Sequence, residues 1–345
     1  MLLNDGSVYT RLNNLNMIRL IAAISVTFGH SFAMINGPHV ELFGFLTSGA
    51  FGFYAVAVFF GLSGFLITQS YFRNPNWKVF LRARILRLAP GFFFANLITA
   101  LLIIYVVKHD SIFNYLKEFI IYTIGGVIFM LSHSFPDVFK HLHHNSANGS
   151  MWTLTYEFRM YVVVLILGMI GLLKNRRAFA AFAAFLFILS IIQLDVLYVP
   201  LFKLLFKIGG HENTYTSLPL CFGLGMLAYL FTDKLKISVP IATAVLIATF
   251  FTENWFLKAV AWVYFSLSFG YDPKYYLSKL NFKNDISYGI YILSWPIQQC
   301  VIHLKWATSP LEVFFISMAF IIPLSIISWK FVEEPCLKWK KAAAR

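Results

Sequence analysis

Apolar residues fall in stretches of about twenty, separated by short polar segments, along the whole chain. A helix of that length rises about 30 Å, the thickness of a bilayer core. The pattern predicts spans near 15–34, 49–70, 87–107, 152–173, 178–194, 216–232, 238–251, 255–271, 286–305 and 311–331. Runs of this kind indicate helices rather than a barrel, because each helix satisfies its own backbone groups in lipid. One further apolar run, 119–131, is short and contains Gly125-Gly126. Counted as a span it makes eleven; left as a re-entrant or loop-packed piece it gives ten. The fold class expected is an all-α, polytopic helical membrane protein.

The basic residues decide between ten and eleven. With ten spans and both termini cytosolic, twenty of the 28 Lys and Arg fall at inner ends and loops, and seven fall outside. The remaining one, Arg159, lies within a span. That is a strong positive-inside bias. With eleven spans, Lys174, Arg176 and Arg177 would instead face outward.

Composition agrees. Of 345 residues, 59% are hydrophobic and only 12% charged, about half the charge of a soluble domain. The net charge of +13 is read as cytosolic anchoring, so nucleic acid is not an expected partner. The expected partner is the lipid bilayer. Cys221, Cys300 and Cys336 have no metal or redox spacing. The first apolar run lacks a convincing cleavage site and is read as a retained span. A single transmembrane domain over 1–345 with no fused soluble domain is expected, without internal repeat.

Against this background the costly residues stand out. Arg19 and His30 lie on the first span, eleven residues apart, nearly a whole number of turns, so they share one helix face. The rise between them is about 16 Å, half a bilayer core. Ionisable groups inside a span face a protein interior or a watery cavity and are functional candidates. Glu157 lies in the fourth span at the depth of His30, where a carboxylate could orient an imidazole acting as general base. Packing polarity is the alternative. Arg84 and Arg87 open the third span on one face, and guanidinium forks suit phosphate. With Arg19 they make a basic mouth on the cytosolic side, although anchoring alone also explains them.

Gly61-Leu-Ser-Gly64 lies mid-span, where small residues allow close helix approach; Ser63 either packs there or lines a cavity. Ser287 to Gln299 contains Pro296, which frees a carbonyl. Tyr291, Ser294, Gln298 and Gln299 offer hydrogen bonds beside it. His133, His141, His143 and His144 cluster in an outer loop; their spacing matches no familiar site, so no metal is expected and a solvated loop is the reading. The tail Glu333 to Lys341 reads as a basic amphipathic cytosolic end. Nucleotide loops and a Ser-centred elbow are absent.

Six segments in order resemble the acyltransferase-3 family of integral membrane O-acyltransferases. They are Leu15 to Arg19 with His30-Ser31, Phe59 to Leu66, Arg82 to Pro90, Asn148 to Phe158 with Trp152 and Glu157, Ser287 to Tyr291, and Phe331 to Pro335. The resemblance implies an acyl donor, typically acetyl-CoA as co-substrate with no permanently bound cofactor, and a hydroxyl acceptor. It matches His30 to the family's catalytic histidine, Arg19 and Arg84/Arg87 to donor handling, and Glu157 to its acidic position. Many members carry a histidine near where Ser294-Trp295-Pro296 stands here, so that histidine's role does not transfer.

Together these readings predict a membrane O-acetyltransferase in the bacterial inner (cytoplasmic) membrane. Its acceptor would be a carbohydrate of O-antigen, exopolysaccharide or capsule. His30 would act as general base or as acyl carrier, with Ser63, Trp152, Tyr291, Ser294 or Gln298 near the substrate or oxyanion. The reading from another class is a polar-lined transporter of a lipid-linked sugar, using the same intramembrane charges without acyl transfer.

Overall fold

The computed structural model describes residues 2–3, 13–37, 51–106, 117, 120, 123, 139, 142–144, 146–192, 214–252, 254–277 and 284–342. Most of 119–131 lies outside the described residues, as do His133 and His141.

A helix stands at each of the ten expected positions. They are α1 (Leu15–Asn36), α2 (Phe51–Arg73), α3 (Trp77–Val106), α4 (Trp152–Met169), α5 (Arg176–Ile192), α6 (Thr214–Leu230), α7 (Val239–Ala248), α8 (Trp255–Tyr271), α9 (Ser287–His303) and α10 (Pro310–Ile327). A π-helical turn, Ser328–Glu333, leads into α11 (Glu334–Ala342). Among the described residues the only β pairing is one bridge, Leu2 with Lys236. Among the described residues, five helical stretches are long and apolar enough to cross a membrane: α1, α2, α3, α4 and the continuous stretch Pro310–Trp339.

Side chains set several helix starts. Asn76 caps α3 by accepting from the Lys78 and Val79 amides at 3.0 and 3.3 Å. Asn254 caps α8 through Phe256 and Leu257. Ser309 and Glu312 form a capping box at α10. Helix α3 begins ten residues before the apolar run predicted at 87, because the cap starts the helix in the polar layer and hydropathy registers only the part in lipid.

Two helices form the centre. In α9 every residue from Ser287 to Val301 is buried, and it packs on α1, α3 and α10. Helix α2 packs on α1, α4, α6 and α8. Its contact with α6 needs glycine: a Cβ on Gly64 would lie 2.0 Å from the Phe222 carbonyl oxygen, and one on Gly225 would lie 1.9 Å from that of Gly61. The backbones touch, as small-residue packing in membranes allows.

Segments assigned to one side of the membrane meet in space. Leu3 donates to the Leu235 carbonyl. The Asn14 amide donates to Phe269 and Tyr275 carbonyls, and its oxygen accepts from the Leu277 amide. Arg176 pairs with Asp233 at 2.7 Å. All of these belong to ends and loops expected on the inner side.

Candidate functional site

The N-terminal halves of α1, α3 and α9 and the α10–α11 turn bring charge together. Asp285, two residues before α9, receives Arg19 Nη1 at 2.5 Å and Arg87 Nη2 at 2.6 Å on the same oxygen, Oδ2. The Ser287 hydroxyl donates to Oδ1 at 2.5 Å. Burial alone would raise this carboxyl; Arg19, Arg87 and the Ser287 hydroxyl overcome it and hold it at about 2. Glu333 completes the cluster: its side chain is 1% exposed and lies 3.8 Å from Arg87 Nη1, and Ser328 donates to it. Arg87 also lies over the rings of Tyr288 and Trp329.

Arg84, one turn before Arg87, is held differently. Its Nη2 donates to Ser70 at 3.1 Å, it lies over Phe80 and Tyr161, and its Nε is buried without a hydrogen-bond partner. It carries no carboxylate pair among the described residues.

These arginines line a cavity of about 120 Å³ that continues between α2, α4 and α9. Ser63, Thr153, Glu157, Tyr161 and Tyr291 complete its polar wall. Ser63 donates to Glu157 at 3.0 Å, and the Tyr161 hydroxyl donates to the same carboxylate oxygen. Thr153 and Tyr291 share a hydrogen bond of 2.5 Å. The volume suffices for a few water molecules; small-molecule sites usually measure about 300–1,000 Å³.

His30 is not on that wall. It lies near the other end of α1, its ring centre 4.8 Å from that of Trp295 and nearly perpendicular to it. Trp295 is one turn beyond Tyr291 on α9, so a single helix face runs from cavity to imidazole. Gly149 lets the indole sit there, since a Cβ would lie 2.5 Å from Trp295 Cε2. His30 Nδ1 is buried without a partner.

The expected residues therefore divide into two groups. The structure brings Arg19, Arg84, Arg87, Ser63, Glu157 and Tyr291 to one cavity. No hydrogen bond or ion pair joins His30 to Glu157, whose carboxylate is taken up by Ser63 and by Tyr161, four residues along its own helix. Glu157 faces α2 and lines the cavity with Arg19 and Arg84, whereas His30 stands about three turns from Arg19 along α1. Ser294 donates to its own helix at Tyr291. Gln298 donates to the Thr27 carbonyl and ties α9 to α1. Trp152 packs edge-on against Tyr156.

The loop histidines need a correction at one position. His144 is half-buried, with its ring centre 5.3 Å from Trp295. Gln299 donates to its carbonyl at 2.7 Å, which pulls the loop onto α9, away from solvent. Asp285, Tyr161, Tyr288, Trp295 and Glu333 were not singled out for the site. Tyr161 had a signal in its i+4 relation to Glu157, and Asp285 in being an acid at the mouth of an otherwise basic end.

Fold and cavity define a polytopic helical membrane protein with a charged internal pocket reaching from one end toward a buried imidazole. The chain belongs to the acyltransferase-3 family, whose acyltransferase domain matches residues 12–330. It is 29% identical to an O-acetyl transferase of Shigella phage Sf6 over 342 residues, 93% of this chain and 95% of that protein. It is 24% identical to nodulation protein 10 of Rhizobium leguminosarum bv. viciae, covering 94% of this chain and 93% of the relative. No solved structure matches. The protein is an acyltransferase of the membrane.

Proposed function

We propose that the protein moves an acetyl group from cytosolic acetyl-CoA to a hydroxyl of an envelope or surface polysaccharide sugar, in the bacterial inner membrane. Ten crossings with both termini in the cytosol fit the helix positions, the charge bias and the clustering of the inner segments. The observation that carries the reading is the convergence of Arg19, Arg84 and Arg87 on one cavity with Ser63, Glu157 and Tyr291. A cluster of guanidinium groups at a cytosolic mouth suits the phosphates of a nucleotide thioester.

In this reading the donor phosphates take over from Asp285 as partners of Arg19 and Arg87. Arg84, lacking a carboxylate, receives a further phosphate oxygen. The cavity widens to admit the pantetheine arm, which extends along the Arg19–His30 face over about 16 Å. The acceptor arrives from the outer side. His30 removes the proton of its hydroxyl; the oxygen bonds to the acyl carbon and the carbon–sulfur bond breaks. The thiolate leaves as CoA and takes the proton. Tyr291, turned from Thr153, is the donor for the oxyanion, and Glu157 accepts from the Ser63 and Tyr161 hydroxyls and fixes both. Homology to an O-acetyl transferase supports acetyl as the group and a hydroxyl as acceptor.

The test is glycan mass spectrometry and NMR on a strain lacking the chain and on the same strain with it restored. O-acetyl groups that vanish and return support the proposal. Unchanged acetylation with impaired glycan export contradicts it and favours the transporter.

A further inference from the structure

Among the described residues, one imidazole besides His30 reaches Trp295, and it comes from a segment that sequence assigns to solvent. His144 is held there by more than chance contact. Gln299 donates to the carbonyls of His144 at 2.7 Å and Ser146 at 3.3 Å. Trp295 Nε1 donates to Ser146 at 3.0 Å, and the Asn148 amide donates to the Ile292 carbonyl at 2.8 Å. Four side-chain hydrogen bonds thus fasten His144, Ser146 and Asn148 along two turns of α9. All of them run to the helix that carries the indole.

The result is two imidazoles against one indole, both steeply tilted to it, at 4.8 Å for His30 and 5.3 Å for His144. Each has a buried nitrogen without a partner, Nδ1 of His30 and Nε2 of His144. Burial, with His143 beside it, outweighs the Ala33 backbone carbonyl and lowers the pKa of His144, so the ring is neutral at neutral pH. A ring N–H directed at that carbonyl leaves Nε2 as a lone pair. Buried polar atoms are normally satisfied, and an orphan at a site invites an explanation. Two buried orphan ring nitrogens set against one indole suit a ligand that offers two neighbouring hydroxyls.

We propose that His144 is an acceptor-binding residue: its Nε2 accepts a hydrogen bond from a hydroxyl of the acceptor sugar adjacent to the hydroxyl that loses its proton at His30. The inference rests on the acyl-transfer reading and adds that the acceptor presents neighbouring hydroxyls. It makes His144 part of the site and assigns acceptor and donor recognition to opposite ends of α9.

The test uses the full-length chain in membrane vesicles that contain the host surface glycan, with labelled acetyl-CoA added at graded concentrations. His144→Phe keeps an aromatic ring against Trp295 and removes the nitrogen. His144→Gln supplies an amide oxygen near the Nε2 position. Acetyl transfer is expected to fall about tenfold or more in the Phe variant, the usual consequence of an unpaired polar group at a site. The half-saturating acetyl-CoA concentration stays at the parent value. The Gln variant recovers a substantial part of the rate. A Phe variant that transfers at the parent rate, or a Gln variant no better than Phe at matched expression, overturns the assignment. His30→Ala is run beside them: full transfer by that variant overturns the acyl-transfer reading itself, whatever the His144 pair shows.

Discussion

Asp285→Asn is the substitution whose consequence follows most directly from the geometry. The carboxylate holds two guanidinium groups on one oxygen, at 2.5 and 2.6 Å, and is held at about 2 rather than 3.8. That preference for the charged form corresponds to about 2 kcal/mol of folding stability. The amide forfeits it and leaves Arg19 and Arg87 facing each other, so a total loss of about 2–4 kcal/mol is expected, in line with broken buried pairs. Thermal unfolding of the purified protein in detergent should show a melting temperature lower by roughly 5 °C or more. If donor phosphates replace Asp285, CoA supplies the missing anion. It should then raise the melting temperature of the variant by more than that of the parent. A variant that melts with the parent would refute the energetic argument. A variant destabilised as expected but no more responsive to CoA would refute the exchange of Asp285 for phosphate.

Three further outcomes follow. The Asp285 contribution is that of a carboxyl lowered on folding: it is complete above the unfolded value near 4 and is lost only as pH falls toward about 2. The melting-temperature gap between parent and Asp285→Asn should therefore stay constant from pH 8 to pH 5 and close only in stronger acid. Glu157→Gln keeps the shape but removes the charge that Ser63 and Tyr161 donate to. Hydrogen bonds to charged groups contribute about 1.5–3 kcal/mol, so initial-rate assays at saturating acetyl-CoA should show a fall of about 10- to 100-fold. Gly149→Ala drives a methyl into Trp295; overpacking costs about 1–3 kcal/mol, and both a lower melting temperature and reduced transfer should be measured, with Gly149→Ser worse than Gly149→Ala.

Much of the architecture was legible because lipid leaves few options. Apolar runs of 14 to 22 residues marked the positions of α1 to α10, and basic residues grouped segments that do meet, such as those holding Leu3 to Leu235 and Asn14 to Phe269. Arg19, Arg84 and Arg87 were legible as a group because charge near a span is costly. Direction was not legible. His30 and Glu157 were expected at one depth from the span ends, but which neighbour a side chain faces depends on helix rotation, and neither sequence spacing nor hydropathy fixes rotation across two separate helices. Asp285 was missed because attention to basic residues passes over the acid that organises them. His144 was missed because a loop is solvated only until a buried helix offers it hydrogen bonds. Gln299 and Trp295 make that offer from 150 residues away, which local pattern cannot show.

The central claim is that His30 performs acyl transfer, and one measurement addresses it: labelled acetyl passed from acetyl-CoA to host glycan in vesicles, comparing parent with His30→Ala at equal membrane expression. A lost general base lowers rate by about 10²–10⁴-fold. The account predicts a loss in that range in the variant, and undiminished transfer would contradict it.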